Sequence, residues 1–196
     1  YQNDLSITSD PAAGVEALAA NMSSAGNSER FDAIKEKNCL RRADLLERAL
    51  NGNGSPMTPA FVATCLSDVL GEDGRGFNEL GAPALFMDLK KSNQAISNPL
   101  SGGLGWGLPA ALGASLARPD RLNIACVGDG SYIFSNPVAC HQIAESHNLP
   151  VLIIVMNNGI WNAVRRAARN VYPEGTAEKL NVMPLTSLQP MPDFCR

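Results

Sequence analysis

The sequence predicts an α/β fold with an open, mainly parallel sheet and helices on both faces. Two runs, Leu122–Val127 and Pro150–Met156, are almost continuously apolar. Strands buried on both faces read this way, whereas a strand with one wet face alternates. Helix-like segments separate these runs, and strands alternating with helices imply parallel strands joined by crossovers. Charged residues make up only 18% of the chain, against roughly 25% in ordinary soluble domains. That low share fits a sheet covered from both sides.

Each element follows from local signals. Asp10-Pro11 places an acid at the N-cap and Pro at the first helical position, predicting a helix over Pro11–Ala20 that dissolves in the Asn/Ser/Gly stretch 21–28. A charged helix covers about Ser28–Leu50, with an apolar stripe of Ile34, Leu40, Leu45, Leu46 and Leu50 and a solvated face across Glu29–Arg48. Asn51-Gly52-Asn53-Gly54-Ser55-Pro56 breaks the chain and marks the edge of the main domain. Thr58-Pro59 caps a helix to about Leu70, stopped by Gly71. A short strand over Arg75–Asn78 enters the turn Glu79–Pro83, and Gly103–Ala117 reads as a small-residue helix. Asn136-Pro137 caps a helix to about Asn148, and Gly159–Asn170 forms another. Residues 172–196 have little regular pattern.

Composition excludes several classes. The 16 basic and 19 acidic residues give a net charge of -3, which argues against an electrostatic nucleic-acid binder. No run of about 18 apolar residues is present, so no membrane span is expected. The five cysteines are odd in number and contain no C-x-x-C pair. They read as reduced thiols, with Cys126 and Cys140 buried as small hydrophobes, in a cytoplasmic or organelle-matrix protein. The start, Tyr1-Gln2-Asn3-Asp4, has neither an initiator Met nor the regions of a signal peptide. The expectation is a piece of a longer protein.

The chemistry is expected where ligands bind open α/β sheets, beyond the carboxyl ends of the strands. One strand runs into Gly128-Asp129-Gly130-Ser131, the other into Asn157-Asn158-Gly159. Either motif alone is a plain turn. Both directly follow apolar strands, with 26 residues (131–156) between Gly128-Asp129-Gly130 and Asn157, and chance would produce that on the order of once in a thousand such chains. If the strands are neighbours, the Asp129 carboxylate and the Asn158 amide oxygen converge. Hard oxygen donors with little charge suit Mg2+, which commonly shares phosphate oxygens with its ligand. Gly128 and Gly130 let a diphosphate approach the backbone.

This pairing resembles the signature of thiamine-diphosphate-dependent enzymes. Ser101–Ala114 resembles the glycine-rich helix entry of the acetolactate synthase, benzoylformate decarboxylase and oxalyl-CoA decarboxylase group, and Asn78–Ala82 the loop before it. The most distinctive runs, Gly128–Pro137 and Trp161–Arg166, are most similar to acetolactate-synthase-like proteins. The resemblance implies the thiamine-diphosphate-binding fold and divides the chain into residues 1–22 (the tail of a central domain), 23–54 (a linker helix) and 55–196 (the cofactor domain, incomplete at its C-terminal end).

The resemblance also implies roles. Asp129 and Asn158 would hold Mg2+ through side chains and Ile160 through its carbonyl. Gly130 and Ser131, helped by Gly81 and Ala82, would hold the diphosphate beside Gly128. Leu104 would be the apolar wedge that bends the cofactor, and the Gly102 carbonyl would accept a hydrogen bond from the aminopyrimidine. The substrate would be a 2-oxo acid. The activating glutamate would come from the pyrimidine-binding domain of a partner subunit in a homodimer or homotetramer, so no catalytic acid is expected in this chain and Glu79 does not stand in for it. FAD is possible in a full-length parent. A benzoylformate- or oxalyl-CoA-decarboxylase-like lyase is the same-class alternative, and a non-catalytic module that keeps the cofactor fold is the alternative of another class. Among the remaining residues, His141 and His147 read as surface or packing positions. Arg165 and Arg166 either steer an anionic substrate or favour the C-terminal half of a helix. Trp106 reads as packing, and Trp161 as packing or a wall of the site.

Overall fold

The computed structural model describes residues 3–22, 28–98 and 103–179, apart from the side chains of residues 177 and 178. Two compact units are present, Tyr1–Asp44 and Leu45–Arg196. The first contains helix α1 (Pro11–Asn21), capped by the Asp10 carboxylate, which accepts from Ala13 N at 3.1 Å. It also contains most of α2 (Ser28–Leu50), where Ile34 and Leu40 of the expected stripe stay exposed. The second unit takes in the end of α2, where Ala49 is fully buried.

The second unit is a four-stranded parallel sheet between helices. After α3 (Pro59–Leu70) comes β1 (Arg75–Glu79), a single 3-10 turn at Ala84–Phe86 and β2 (Ala95–Ser97). Then follow α4 (Gly107–Ala117), β3 (Asn123–Gly128), α5 (Asp129–Phe134) and α6 (Pro137–Ser146). The last elements are β4 (Val151–Met156), α7 (Asn162–Val171) and α8 (Thr176–Lys179). Spatial order is β2-β1-β3-β4, and every pairing is parallel. The register sets Glu79 opposite Val127 and Gly128 opposite Met156.

Every residue of β3 is buried, and its side chains divide with period two. Ala125 and Val127 join Phe77, Leu108, Leu112 and Cys140 in one cluster, under α4 and α6. Ile124 and Cys126 join Ala63, Leu66 and Leu70 of α3 in the other. The expected cover on both faces is therefore present. Cys126 and Cys140 are buried as expected, and burial pushes both thiols up.

Several boundaries differ from expectation. α4 begins at Gly107 rather than Gly103, because Gly105 takes φ 89 and breaks the helical path. Asn136 precedes α6 in a left-handed conformation, φ 54, and makes no side-chain cap. α6 stops at Ser146, so His147 lies just beyond the helix. α7 begins at Asn162 rather than Gly159, because the 157–161 segment folds as tight turns.

Strand β2 was not expected. Gln94 anchors it: this side chain is 1% exposed, accepts from Lys90 N and Lys91 N, and donates to Gly71 O and Glu72 O. Among the described residues, no helix is long and apolar enough to cross a membrane.

Thr58 Oγ1 accepts from Phe61 N at 3.3 Å and caps α3, the helix covering one face of the sheet. Thr58→Ala is expected to cost about 1 kcal/mol, read as a lower midpoint with unchanged slope in urea denaturation.

Candidate functional site

The carboxyl ends of β1, β3 and β4 lie side by side, so the loops that leave them share one edge of the sheet. β3 passes into Asp129, which is 3% exposed. Its carboxylate is held by main-chain donors. Oδ1 accepts from Gly130 N at 2.9 Å, and Oδ2 accepts from Asn158 N at 3.1 Å and Gly159 N at 2.7 Å. Three donors satisfy a buried carboxylate that has about four acceptor positions, leaving room for one further partner.

The two tips are thus joined, as neighbouring strands require, but through main-chain amides. The Asn158 side chain turns within its own loop, its Oδ1 accepting from Ile160 N at 3.0 Å. The Ile160 carbonyl accepts from Asn162 N at 2.8 Å across Trp161, whose φ -74 and ψ 63 are those of an inverse γ-turn. Each of these oxygens keeps a second lone pair.

Around this junction lie two adjoining hollows. One, of about 220 Å3, is lined by Gly128, Asp129, Gly130, Ser131 and Trp161, among others. The other, of about 1030 Å3, reaches Asn78, Glu79, Gly81, Ala82, Asn98 and Asn157. Leu80, Leu104, Asn158, Asn162 and Arg166 line both. Ser131 is 2% exposed and its Oγ has no hydrogen-bond partner. A buried hydroxyl left unpaired beside a hollow points to a ligand that would complete it.

Close approach explains the glycine at 130. A Cβ there would lie 2.5 Å from Cζ3 of Trp161. The Trp161 ring rests on this backbone and meets Phe134 edge-on, with centroids 5.4 Å apart. Trp161 is therefore a wall of the smaller hollow, while Trp106 packs against the core and Phe77. Leu80 holds φ 56. Non-glycine residues seldom enter that region, and such strain clusters at functional sites.

The expected site residues fall into three groups. Gly128, Asp129, Gly130, Ser131, Asn158 and Leu104 surround the smaller hollow, and Ile160 sits in the adjoining turn. Gly81 and Ala82 line the larger one. Ala82 is fully buried, and its N–H donates to Cys126 Sγ at 3.3 Å, which commits that amide to the protein interior. Gly102 lies outside the described residues. Among the described residues, no group of three His, Cys, Asp or Glu side chains could hold a metal ion. A cation here would need amide, carbonyl and ligand oxygens as well.

Arg165 and Arg166 fall in the first half of α7. This corrects the helix-dipole explanation, since a helix favours cations at its other end. Arg166 lines both hollows and makes no ion pair among the described residues. His141 Nε2 lies 2.7 Å from the Tyr132 hydroxyl, a packing role.

Residues 79–195, more than half of the chain, match the family described as "Thiamine pyrophosphate enzyme, C-terminal TPP binding domain". Acetolactate synthase of Arabidopsis thaliana is 33% identical over 111 residues, covering 54% of this chain and 16% of that protein. Glyoxylate carboligase of Escherichia coli O157:H7 is 29% identical over 175 residues, covering 85% of this chain and 29% of the carboligase. Among solved structures, the thiamine diphosphate-dependent 4-hydroxybenzoylformate decarboxylase of Rhodococcus jostii RHA1 aligns with a TM-score of 0.57 and 33% identity. That alignment covers 70% of this chain and 25% of the decarboxylase. The chain thus spans less than a third of the length of each of these relatives.

Gly130→Ala is expected to push the Trp161 ring away and destabilise the fold by about 1–3 kcal/mol. A changed near-ultraviolet dichroism of tryptophan in Gly130→Ala, with the lost stability regained in Gly130→Ala/Trp161→Leu, would confirm the contact; an unaltered spectrum in Gly130→Ala would refute it.

Proposed function

Because the chain belongs to the thiamine pyrophosphate enzymes and carries their C-terminal cofactor-binding domain, we propose that it forms the diphosphate- and Mg2+-holding part of an acetolactate-synthase-like enzyme that decarboxylates or ligates 2-oxo acids. The observation that carries this reading is the junction of the two strand-end loops at Asp129, beside the unpartnered Ser131 hydroxyl. Its donors fit the pair. One carboxylate, one amide oxygen and one carbonyl supply half of an octahedral Mg2+ shell, and a diphosphate and water suit the rest.

Asp129, Asn158 and the Ile160 carbonyl would hold the cation. The Ser131 hydroxyl and the backbone at Gly128, Gly130 and Gly81 would receive the diphosphate. Leu104, at the boundary of both hollows, offers an apolar surface for the rings. When bound, thiamine diphosphate supplies the electron sink for loss of CO2 from a 2-oxo acid. Arg166 gives an anionic substrate a cation to approach, and Trp161 shields the smaller hollow from water. Glu79 has both carboxylate oxygens committed to main-chain amides, which supports assigning the activating acid to the pyrimidine-binding domain of a partner subunit.

A second reading, a decarboxylase of aromatic 2-oxo acids, is favoured by the likeness to the 4-hydroxybenzoylformate decarboxylase and by the aromatic pair Phe134–Trp161 near the site. Comparing pyruvate with benzoylformate as substrate of the assembled enzyme separates the two readings.

Calorimetric titration with thiamine diphosphate is expected to show binding in Mg2+ and none after chelation, and Asp129→Ala is expected to weaken binding at least about tenfold. Binding that persists without the metal would overturn the ligand assignment.

A further inference from the structure

Helix α4 has no cap of its own. Trp106, at its N-cap position, has helical dihedrals and makes no side-chain cap bond. Glu79, the last residue of β1, replaces that cap from 28 residues away in sequence. Its carboxylate is 1% exposed. Oε1 accepts from Gly105 N and Oε2 accepts from Gly107 N, each at 2.6 Å. One carboxylate thereby holds the turn before the helix and the first residue of the helix itself. Gly105 adopts φ 89 and presses against Phe134, where a Cβ would lie 2.5 Å from the carbonyl carbon. The turn is therefore gripped from both sides, and the residue it presents is Leu104, which lines both hollows.

We propose that Glu79 is a positioning residue: through Gly105 and Gly107 it sets Leu104 at the mouth of the site and so governs binding of the ring portion of the cofactor. This inference rests on the reading of Leu104 as the surface that receives the rings. The chemistry requires a carboxylate. Both oxygens must accept, whereas glutamine would turn an N–H2 group toward one of the two amide donors. A buried donor facing a donor leaves both unsatisfied.

The test compares two probes in the full chain, each with Mg2+: thiamine diphosphate, which has rings, and inorganic diphosphate, which has none. Glu79→Gln is expected to raise the Kd for thiamine diphosphate about tenfold or more, with the Kd for inorganic diphosphate changed by less than about twofold. Leu104→Ala should show the same selectivity. The double variant should bind thiamine diphosphate no worse than the weaker single variant, the non-additivity expected of residues acting as one unit. Equal weakening toward both probes, no weakening at all, or losses that multiply in the double variant would each overturn the proposal. If Glu79→Gln does not fold, Glu79→Asp keeps both acceptors on a shorter arm, and the same selective loss is expected of it; equal or absent loss there overturns the proposal as well. Failure of the wild-type chain to bind thiamine diphosphate would instead sink the functional reading on which the proposal rests.

Discussion

The parallel register of β1, β3 and β4 is the constraint on which the site depends. Parallel pairing points all three strands the same way, so their ends and the loops that follow must emerge at one edge of the sheet. Glu79 opposite Val127 and Gly128 opposite Met156 align those ends to within a residue. A slip of one position would reverse the faces of β3. Ile124 and Cys126 would exchange sides with Ala125 and Val127, and Asp129 would no longer meet the amides of Asn158 and Gly159. Packing and chemistry are thus specified by the same pairing.

Much of this was legible in the sequence because the signals were local and strong. The apolar runs at 122–127 and 150–156 marked β3 and β4 to within a residue or two, and Thr58-Pro59 located the start of α3. The oxygen-bearing tips at Asp129 and Asn158 pointed to the edge of the sheet where the two loops meet. The less legible features were all non-local. Strand β2 is three residues long and held by Gln94, whose partners are 22 and 23 residues earlier as well as nearby. Small-residue periodicity suggested that α4 starts at Gly103, but the helix begins where Glu79 caps it. Nothing in a linear reading of Asn78–Ala82 shows that its carboxylate turns inward.

The contact that joins the two loops was not foreseen. Two side-chain oxygens on adjacent loops suggested a shared cation and said nothing of how the loops touch. The link formed is carboxylate to main chain, with Asn158 bracing its own turn through Ile160. Main-chain N–H donors are available at every residue but proline, so sequence does not reveal which of them a carboxylate will take. In the structure these amides tie the 157–161 loop to Asp129, while the Asn157 and Asn158 side chains close turns within it.

The order of parts after β4 has an evolutionary consequence. The cofactor-side residues sit on the β3 loop and on 158–160, while Trp161, Asn162 and Arg166 belong to the next turn and helix. On the proposed assignment, the grip on the cofactor and the wall facing the substrate are therefore carried by consecutive but separate stretches. On that same assignment, substitutions along one side of α7 would change which acid is accepted while the diphosphate grip stays untouched. A scaffold divided in this way suits a lineage whose members are named for synthase, carboligase and decarboxylase activities.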